Sequence, residues 1–225
     1  MARDKTTNVG LIGGSLQERL KTSKVEPLDL EYVLAPYRRE GDAERLSNFR
    51  SIRPFHVEIG FGRPHYICEF AASNPDTRIL GFEVKRRWCK MASNRAAREG
   101  LSNIRVIEGD ARAYMEEWSE NESVDGFHVL FPDPWWKKRH HKRRLFSNEF
   151  VSLLHRLLKP NGAITFRTDV GPYADQVLEV MNEHGGFRWE HEDVGNEAPR
   201  SHREKKCATV ELAVSSYRFI KDQRP

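Results

Sequence analysis

The segment FPDPWWKKRHHKRR, residues 131–144, holds the densest set of chemically useful side chains in this chain. Pro132 and Pro134 stiffen the backbone around Asp133 and fix the direction of its carboxylate. Trp135 and Trp136 offer flat faces on which a nucleobase can stack. Lys137, Lys138, Arg139, Lys142, Arg143 and Arg144 then place six cations within eight positions. Charge of that density beside aromatics suits a phosphate backbone better than a small substrate, the alternative being a solvated basic loop with no partner.

A second group starts in VEIGFGRPHYICEF, where an apolar strand runs into Gly60 and Gly62 and then into a helix with Pro64 near its first turn. Glycines at such a junction let backbone N–H groups and the helix N-terminus come close to a ligand, although an ordinary strand-to-helix turn has the same pattern. Glu83 ends RILGFE 21 positions after Gly62. That spacing fits a carboxylate that grips ribose hydroxyls, and the competing reading is a surface carboxylate paired with Lys85 or Arg86. Asp110, Asp133 and Asp169 follow NIRVIEG, VDGFHVLFP and AITFRT, at the strand ends where open α/β sheets bind ligands. Local roles compete here too: helix capping for Asp110 and Asp169, and a turn for Asp133.

These residues need a sheet to carry them. From Phe55 onward, short β-rich runs (FHVEI, TRILGFEV, NIRVIEG, VDGFHVLF, AITFRT) alternate with amphipathic stretches, the signature of βαβ units and a mainly parallel sheet. Phe150, Leu153, Leu154, Leu157 and Leu158 share one helical face, as do Val170, Tyr173, Ala174, Val177, Leu178 and Met181. Pro160 and Asn161-Gly162 end the first of these helices, and Gly171-Pro172 opens the second. The tail ATVELAVSSYRFIK is expected to add one or two strands. Residues 1–50 read as an N-terminal extension with a mobile, basic arm over 1–24, and 51–225 as one α/β domain.

Composition agrees with a single folded domain plus an extension. At 225 residues the chain should bury roughly 70–75% of its unfolded surface. The 38% hydrophobic and 31% charged content excludes wholesale disorder, and no apolar run is long enough to span a membrane. The net charge of +4 is too small to prove a polyanionic partner, so the clustering of cations carries more weight. Three dispersed cysteines, Cys68, Cys89 and Cys207, lack any C-x-x-C spacing. They point to reduced thiols and to neither a disulfide framework nor a zinc site. The nine histidines form no recognisable constellation and read as surface imidazoles. The polar N-terminus has no secretion signal, so a cytoplasmic location is expected.

Taken in order and spacing, EIGFG, GFEV, EGDA, FPDPWWKKRHHKRR and TFRTDVGPYA resemble the bacterial tRNA guanine-N7 methyltransferases over about residues 55–205. The resemblance implies a Rossmann-like class I methyltransferase fold with a seven-stranded, mainly parallel sheet. It implies S-adenosylmethionine as donor, S-adenosylhomocysteine as product and no metal. The substrate it implies is tRNA, at guanine 46 of the variable loop. It places Glu58, Gly60, Gly62, Glu83, Asp110 and Asp133 at the donor, with Asp133 also catalytic. Lys137 and Asp169 fall at substrate positions, as does the stretch Ser201, His202, Arg203, Glu204. The RNA backbone falls to Lys138, Arg139, Lys142, Arg143 and Arg144 by the charge density of the run itself. The chain departs from the family with Pro64 in place of a third glycine and Arg203 in place of an aromatic. No obligatory protein partner is implied, and the chain would be a monomer or homodimer.

Two rival readings share parts of this pattern. A methyltransferase for a small molecule or protein would need the glycines and Glu83 but not the basic run, and a noncatalytic RNA-binding relative would keep the fold without turnover, a reading that Arg203 and Pro64 leave open. A nicotinamide oxidoreductase would call for the third glycine that is missing.

Overall fold

The computed structural model describes residues 32–36, 38–195 and 198–222, so the basic arm over 1–24 lies outside the described residues. In chain order the elements are β1 (Val33–Leu34), α1 (Asp42–Ser51), β2 (Phe55–Ile59), α2 (His65–Ser73), β3 (Arg78–Glu83) and α3 (Arg86–Glu99). Next come β4 (Ile104–Glu108), α4 (Ala111–Glu116), β5 (Val124–Leu130), a 3-10 helix (Lys138–Arg143), α5 (Asn148–Leu157) and β6 (Leu158–Thr168). The chain closes with α6 (Gly171–His184), β7 (Phe187–His191), α7 (His202–Thr209) and β8 (Ser215–Lys221).

The strands form one sheet of eight, in the order β1-β4-β3-β2-β5-β6-β8-β7. Pairing is parallel from β1 to β6, while β8 is antiparallel to both β6 and β7. The resemblance implies seven strands; among the described residues there are eight, and two of them, β1, whose two residues pair with Val106 and Ile107, and β7, lie outside the runs read as strands, while the tail supplies β8 alone. A strand as short as β1 leaves no period-2 pattern to find. The chain leaves β2 first towards β3 and β4, then returns to the other side for β5 and β6. That reversal opens a crevice above the carboxyl ends of β2 and β5, as in other doubly wound sheets.

Alternation along the strands sends two sets of side chains to opposite faces. Phe55, Val57, Phe82, Phe127, Val129 and Phe166 are buried in the larger cluster with α5 and α6. Ile79, Ile104 and Val106 pack with Ile67, Cys68 and Ala71 of α2 and with Ala92 and Ala96 of α3. The stretch 32–50 joins this core through Leu46 and Phe49 of α1. Helix α5 starts where the Ser147 side chain accepts the Phe150 N–H at 3.3 Å and stops at Leu157. Leu158, on the predicted helical face, is instead the first residue of β6 and pairs with Val124. Asn161, at φ 62, then carries the strand through an irregularity towards Ala163.

The face of the central strands that looks towards α2 is not apolar. His56, Glu58, His128, Thr165, Arg167 and Ser216 all come from strand positions of one parity, and all but His56 are fully buried. His56 Nδ1 lies 2.9 Å from His128 Nε2, and His128 Nδ1 lies 2.9 Å from the Tyr66 hydroxyl. Arg167 donates to Glu192 at 3.0 Å and to Glu204 at 3.1 Å. The expectation that the histidines are surface imidazoles therefore fails for His56 and His128. Both occupy inward positions of apolar runs, where hydrogen bonds replace lost water. All three cysteines are free and buried.

Candidate active site

A cleft of about 480 Å³ opens over the carboxyl ends of β2, β3, β4 and β5. Strand order sets Gly60, Glu83, Asp110 and Asp133 along its rim, so residues far apart in sequence meet because their strands are neighbours. Gly60 at φ 71 and Gly62 at φ 55 are left-handed positions that disfavour side chains. Both line the cleft, and a Cβ on either would meet no protein atom within 4 Å.

Glu83 is 7% exposed, which rules out the surface-carboxylate reading. Its Oε2 accepts the Gly62 N–H at 2.9 Å and its Oε1 accepts the Lys85 N–H at 2.8 Å. One carboxylate thereby fixes the glycine turn after β2 and the backbone leading into α3. Each oxygen keeps a further lone pair for a ligand hydroxyl. Asp110 does cap a helix, accepting the Arg112 N–H at 2.9 Å, and also lines the cleft.

Glu58 is fully buried and does not line the cleft; it sits one residue before the floor residue Ile59. Burial, reinforced by the Glu83 charge, holds its carboxyl well above the usual range, against the pull of Arg167. Its Oε2 has no hydrogen-bond partner. The Glu58 oxygen lies beneath the cleft floor and is not open to the cleft, whereas Glu83, on the cleft lining with lone pairs to spare, suits a ribose.

The loop after β5 carries Asp133 between two non-glycine residues at positive φ, Phe131 at 53° and Trp135 at 46°. Such conformations cost about 1–3 kcal/mol each and persist only where surrounding contacts impose them. Here the Phe131 N–H donates to the Arg167 carbonyl at 2.7 Å. At the other end, Arg144 Nε donates to the Pro134 carbonyl at 2.8 Å, while its NH1 bonds Gln176. Arg144 also lies 5.1 Å over the Tyr173 ring. The sequence assigns Arg144 to the RNA backbone, but two of its three guanidinium nitrogens are engaged within the fold.

The neighbouring cations behave differently. Arg143 lies 5.1 Å over the Trp135 ring and lines the cleft with it. Lys137, Lys138, Arg139 and Lys142 are exposed on the 3-10 turn, and Trp136 is 72% exposed. None of these five lines the cleft.

The remaining predicted substrate residues lie together away from the cleft lining. Asp169 does not cap α6, whose N-cap is Val170; its carboxylate accepts from Arg203 instead. Ser201 and Glu204 form a reciprocal capping box at the start of α7, and Glu204 is also paired with Arg167. The S-x-x-E spacing is itself a helix-start signal that the sequence reading passed over. His202 stacks on His65 with centroids 5.1 Å apart and contacts Arg63 at 2.8 Å. Lys85, Trp88 and Arg112 also line the cleft. No role is read for Trp88 or Arg112 from the sequence, and for Lys85 only that of a surface partner to Glu83, although each follows a strand-end carboxylate by only a few residues. Among the described residues, no group of three His, Cys, Asp or Glu side chains is placed to hold a metal.

A family model described as "Putative methyltransferase" matches residues 52–215. The chain belongs to that methyltransferase family. A relative from Nitrosococcus oceani named tRNA (guanine-N(7)-)-methyltransferase is 45% identical over 131 residues, covering 58% of this chain and 56% of the relative. One of the same name from Streptomyces avermitilis is 42% identical over 152 residues, covering 68% and 52%. The matched region is thus little more than half the length of these relatives. Among solved structures, the 16S rRNA methyltransferase KamB aligns with a TM-score of 0.61 at 14% identity, covering 85% of this chain and 99% of that one. A SAM-dependent O-methyltransferase from Thermotoga maritima aligns at 0.54 and 16% identity, covering 82% and 66%. At these identities the likeness is one of fold, and that fold is the class I methyltransferase sheet.

Proposed function

We propose that this methyltransferase transfers a methyl group from S-adenosylmethionine to N7 of a guanine in tRNA, with guanine 46 of the variable loop as its target. The observation that carries the reading is the joining of cleft and cationic surface in one loop. Asp133, Trp135 and Arg143 line the cleft, while Lys137, Lys138, Arg139 and Lys142 extend outward from the same turn. A small-molecule methyltransferase has no use for that outward half. The relatives that carry the tRNA (guanine-N(7)-)-methyltransferase name support the same substrate.

When bound, the donor supplies an electrophilic sulfonium methyl. Glu83 and the turn at Gly60 and Gly62 would hold its nucleoside, Asp110 faces the same space, and Glu58 sits behind the glycine turn beneath the cleft floor. Guanine N7 has a free lone pair on the major-groove edge, so no residue need act as a strong base. The protein's work is orientation, which can contribute roughly 7–11 kcal/mol when reacting atoms are held about 3–3.5 Å apart. Asp133, braced from both ends, accepts from the guanine N–H groups and opposes the positive charge that develops on the ring. Lys137 and the exposed cations of the 3-10 turn take phosphates. The protein acts in the cytoplasm as a monomer or homodimer without an obligatory protein partner.

The test is to incubate the protein with labelled S-adenosylmethionine and unmodified tRNA, digest the RNA and look for 7-methylguanosine. Label at another nucleoside or none would reject the assignment. Calorimetry with S-adenosylhomocysteine, run alongside, separates a donor-binding enzyme of other specificity from an RNA binder without turnover.

A further inference from the structure

The pair formed by Asp169 and Arg203 does not fit the role that resemblance gives to Asp169. Its carboxylate sits at the end of β6 with a side chain only 9% exposed. Arg203 covers it, with Nε at 3.0 Å and NH2 also bonded, both to Oδ2. Asp169 is absent from the cleft lining. An incoming guanine would have to displace a two-donor guanidinium contact to claim that oxygen. Two charge-assisted hydrogen bonds thus converge on one oxygen, and bonds of that class are stronger than neutral ones.

Arg203 is the outward-facing member. Its side chain is 47% exposed, and NH1 makes no hydrogen bond among the described residues. The Asp169 charge keeps its guanidinium firmly protonated. It stands in the first turn of α7, whose position is fixed from below by the buried Glu204–Arg167 pair at 3.1 Å. Arg63 bonds His202 beside it at 2.8 Å, and the positive field of Arg63, Lys205 and Lys206 reaches that imidazole. A guanidinium pinned along one edge and open along the other, in a cationic neighbourhood, is arranged to take an oxyanion such as a phosphodiester.

We propose that Arg203 is a phosphate-binding contact for the RNA and that Asp169 is a positioning residue acting through it, without touching the base. This inference rests on the RNA reading above and deepens it. It assigns a second backbone contact apart from the 3-10 turn, with the buried carboxylate as its rear support.

A double-mutant cycle tests the assignment on the full chain. The dissociation constant for unmodified tRNA is measured against salt for the parent, Arg203→Ala, Asp169→Asn and the double variant. Calorimetry with S-adenosylhomocysteine verifies that each variant is folded. Arg203→Ala should reduce the log K against log salt slope by about one, the value for one lost phosphate. Asp169→Asn should weaken binding in the parent yet have no further effect once Arg203 is gone. Arg203→Lys, which keeps the charge but loses the fork, should retain the slope with weaker binding.

An unchanged slope in Arg203→Ala overturns the proposal. So does an Asp169→Asn defect in kcat of equal size in both backgrounds, because that places Asp169 on the base. Either result, obtained while the parent still makes 7-methylguanosine, leaves the enzymatic reading intact. A parent that neither binds nor methylates tRNA removes both.

Discussion

Arg144 Nε donates to the Pro134 carbonyl at 2.8 Å, so a residue from within the cationic run braces the loop that carries Asp133. The run therefore divides into cations that face solvent and one that serves the architecture of the cleft. Arg144→Ala should lower kcat for tRNA methylation by about ten- to a hundredfold through misplacement of Asp133. Its salt slope should stay that of the parent. Asp133→Asn should reach a loss of about 10²–10³ with unchanged thermal stability, because its exposed side chain packs against little. Single-turnover kinetics beside filter binding separates the effects; a slope change in Arg144→Ala without a rate change would refute the division.

The outward cations should behave in the opposite way. Replacing Lys138, Arg139 and Lys142 together with Ala should flatten the salt dependence of tRNA binding by about two to three units. S-adenosylhomocysteine affinity should not move, since none of the three lines the cleft. Fluorescence anisotropy over a salt series, with calorimetry for the product, measures both.

Glu83 links the donor site to the backbone that forms it. Glu83→Ala strips the half-buried Gly62 and exposed Lys85 amides of their acceptor, and each lost hydrogen bond costs about 0.5–1.5 kcal/mol. The variant should therefore melt earlier and bind S-adenosylhomocysteine at least about tenfold more weakly. Glu83→Gln should lie between the two, because its amide retains one acceptor oxygen. Equal product affinity in parent and Ala variant would mean that Glu83 supports the turn alone.

Acid sensitivity follows from the polar face under α2. Burial pulls the His56 imidazole down to about 4, with Asp125 opposing, and holds His128 well below its ordinary range. Both protonate more readily in the unfolded chain, near pH 6.5. Their contribution is complete above that pH and is lost on acidification, for His56 towards about 4, at up to about 1.4 kcal/mol per pH unit for each proton taken up. Glu58, whose carboxyl is raised, acts in the reverse sense: the folded state holds its proton more tightly and gains as pH falls. Urea midpoints between pH 7.5 and 5 should therefore decline in the parent and decline more steeply in Glu58→Gln. A shallower decline in that variant would contradict the sign.

Five of the strands and both amphipathic helices were legible because hydrophobic periodicity encodes burial directly. The period-2 runs from FHVEI to AITFRT became neighbouring strands, and their terminal carboxylates met at one rim. What escaped notice depended on partners remote in sequence. Arg144 reads as one cation among six until Pro134 comes within reach, and Asp169 reads as ligand or cap until Arg203 closes over it. Helix α7 was missed for another reason. Ser201 and Glu204 were absorbed into a substrate motif, although their spacing equally specifies a helix start, and the structure uses it so. His56 and His128 escaped because a histidine in an apolar run gives no sign of whether it will find a partner.

Phe131 and Trp135 hold left-handed backbone on either side of Asp133, and that has a consequence for selection experiments. Glycine at either site would relax the backbone, so a screen for heat resistance should enrich glycine there while a screen for turnover discards it. Around this carboxylate the molecule should prove easier to toughen than to speed up.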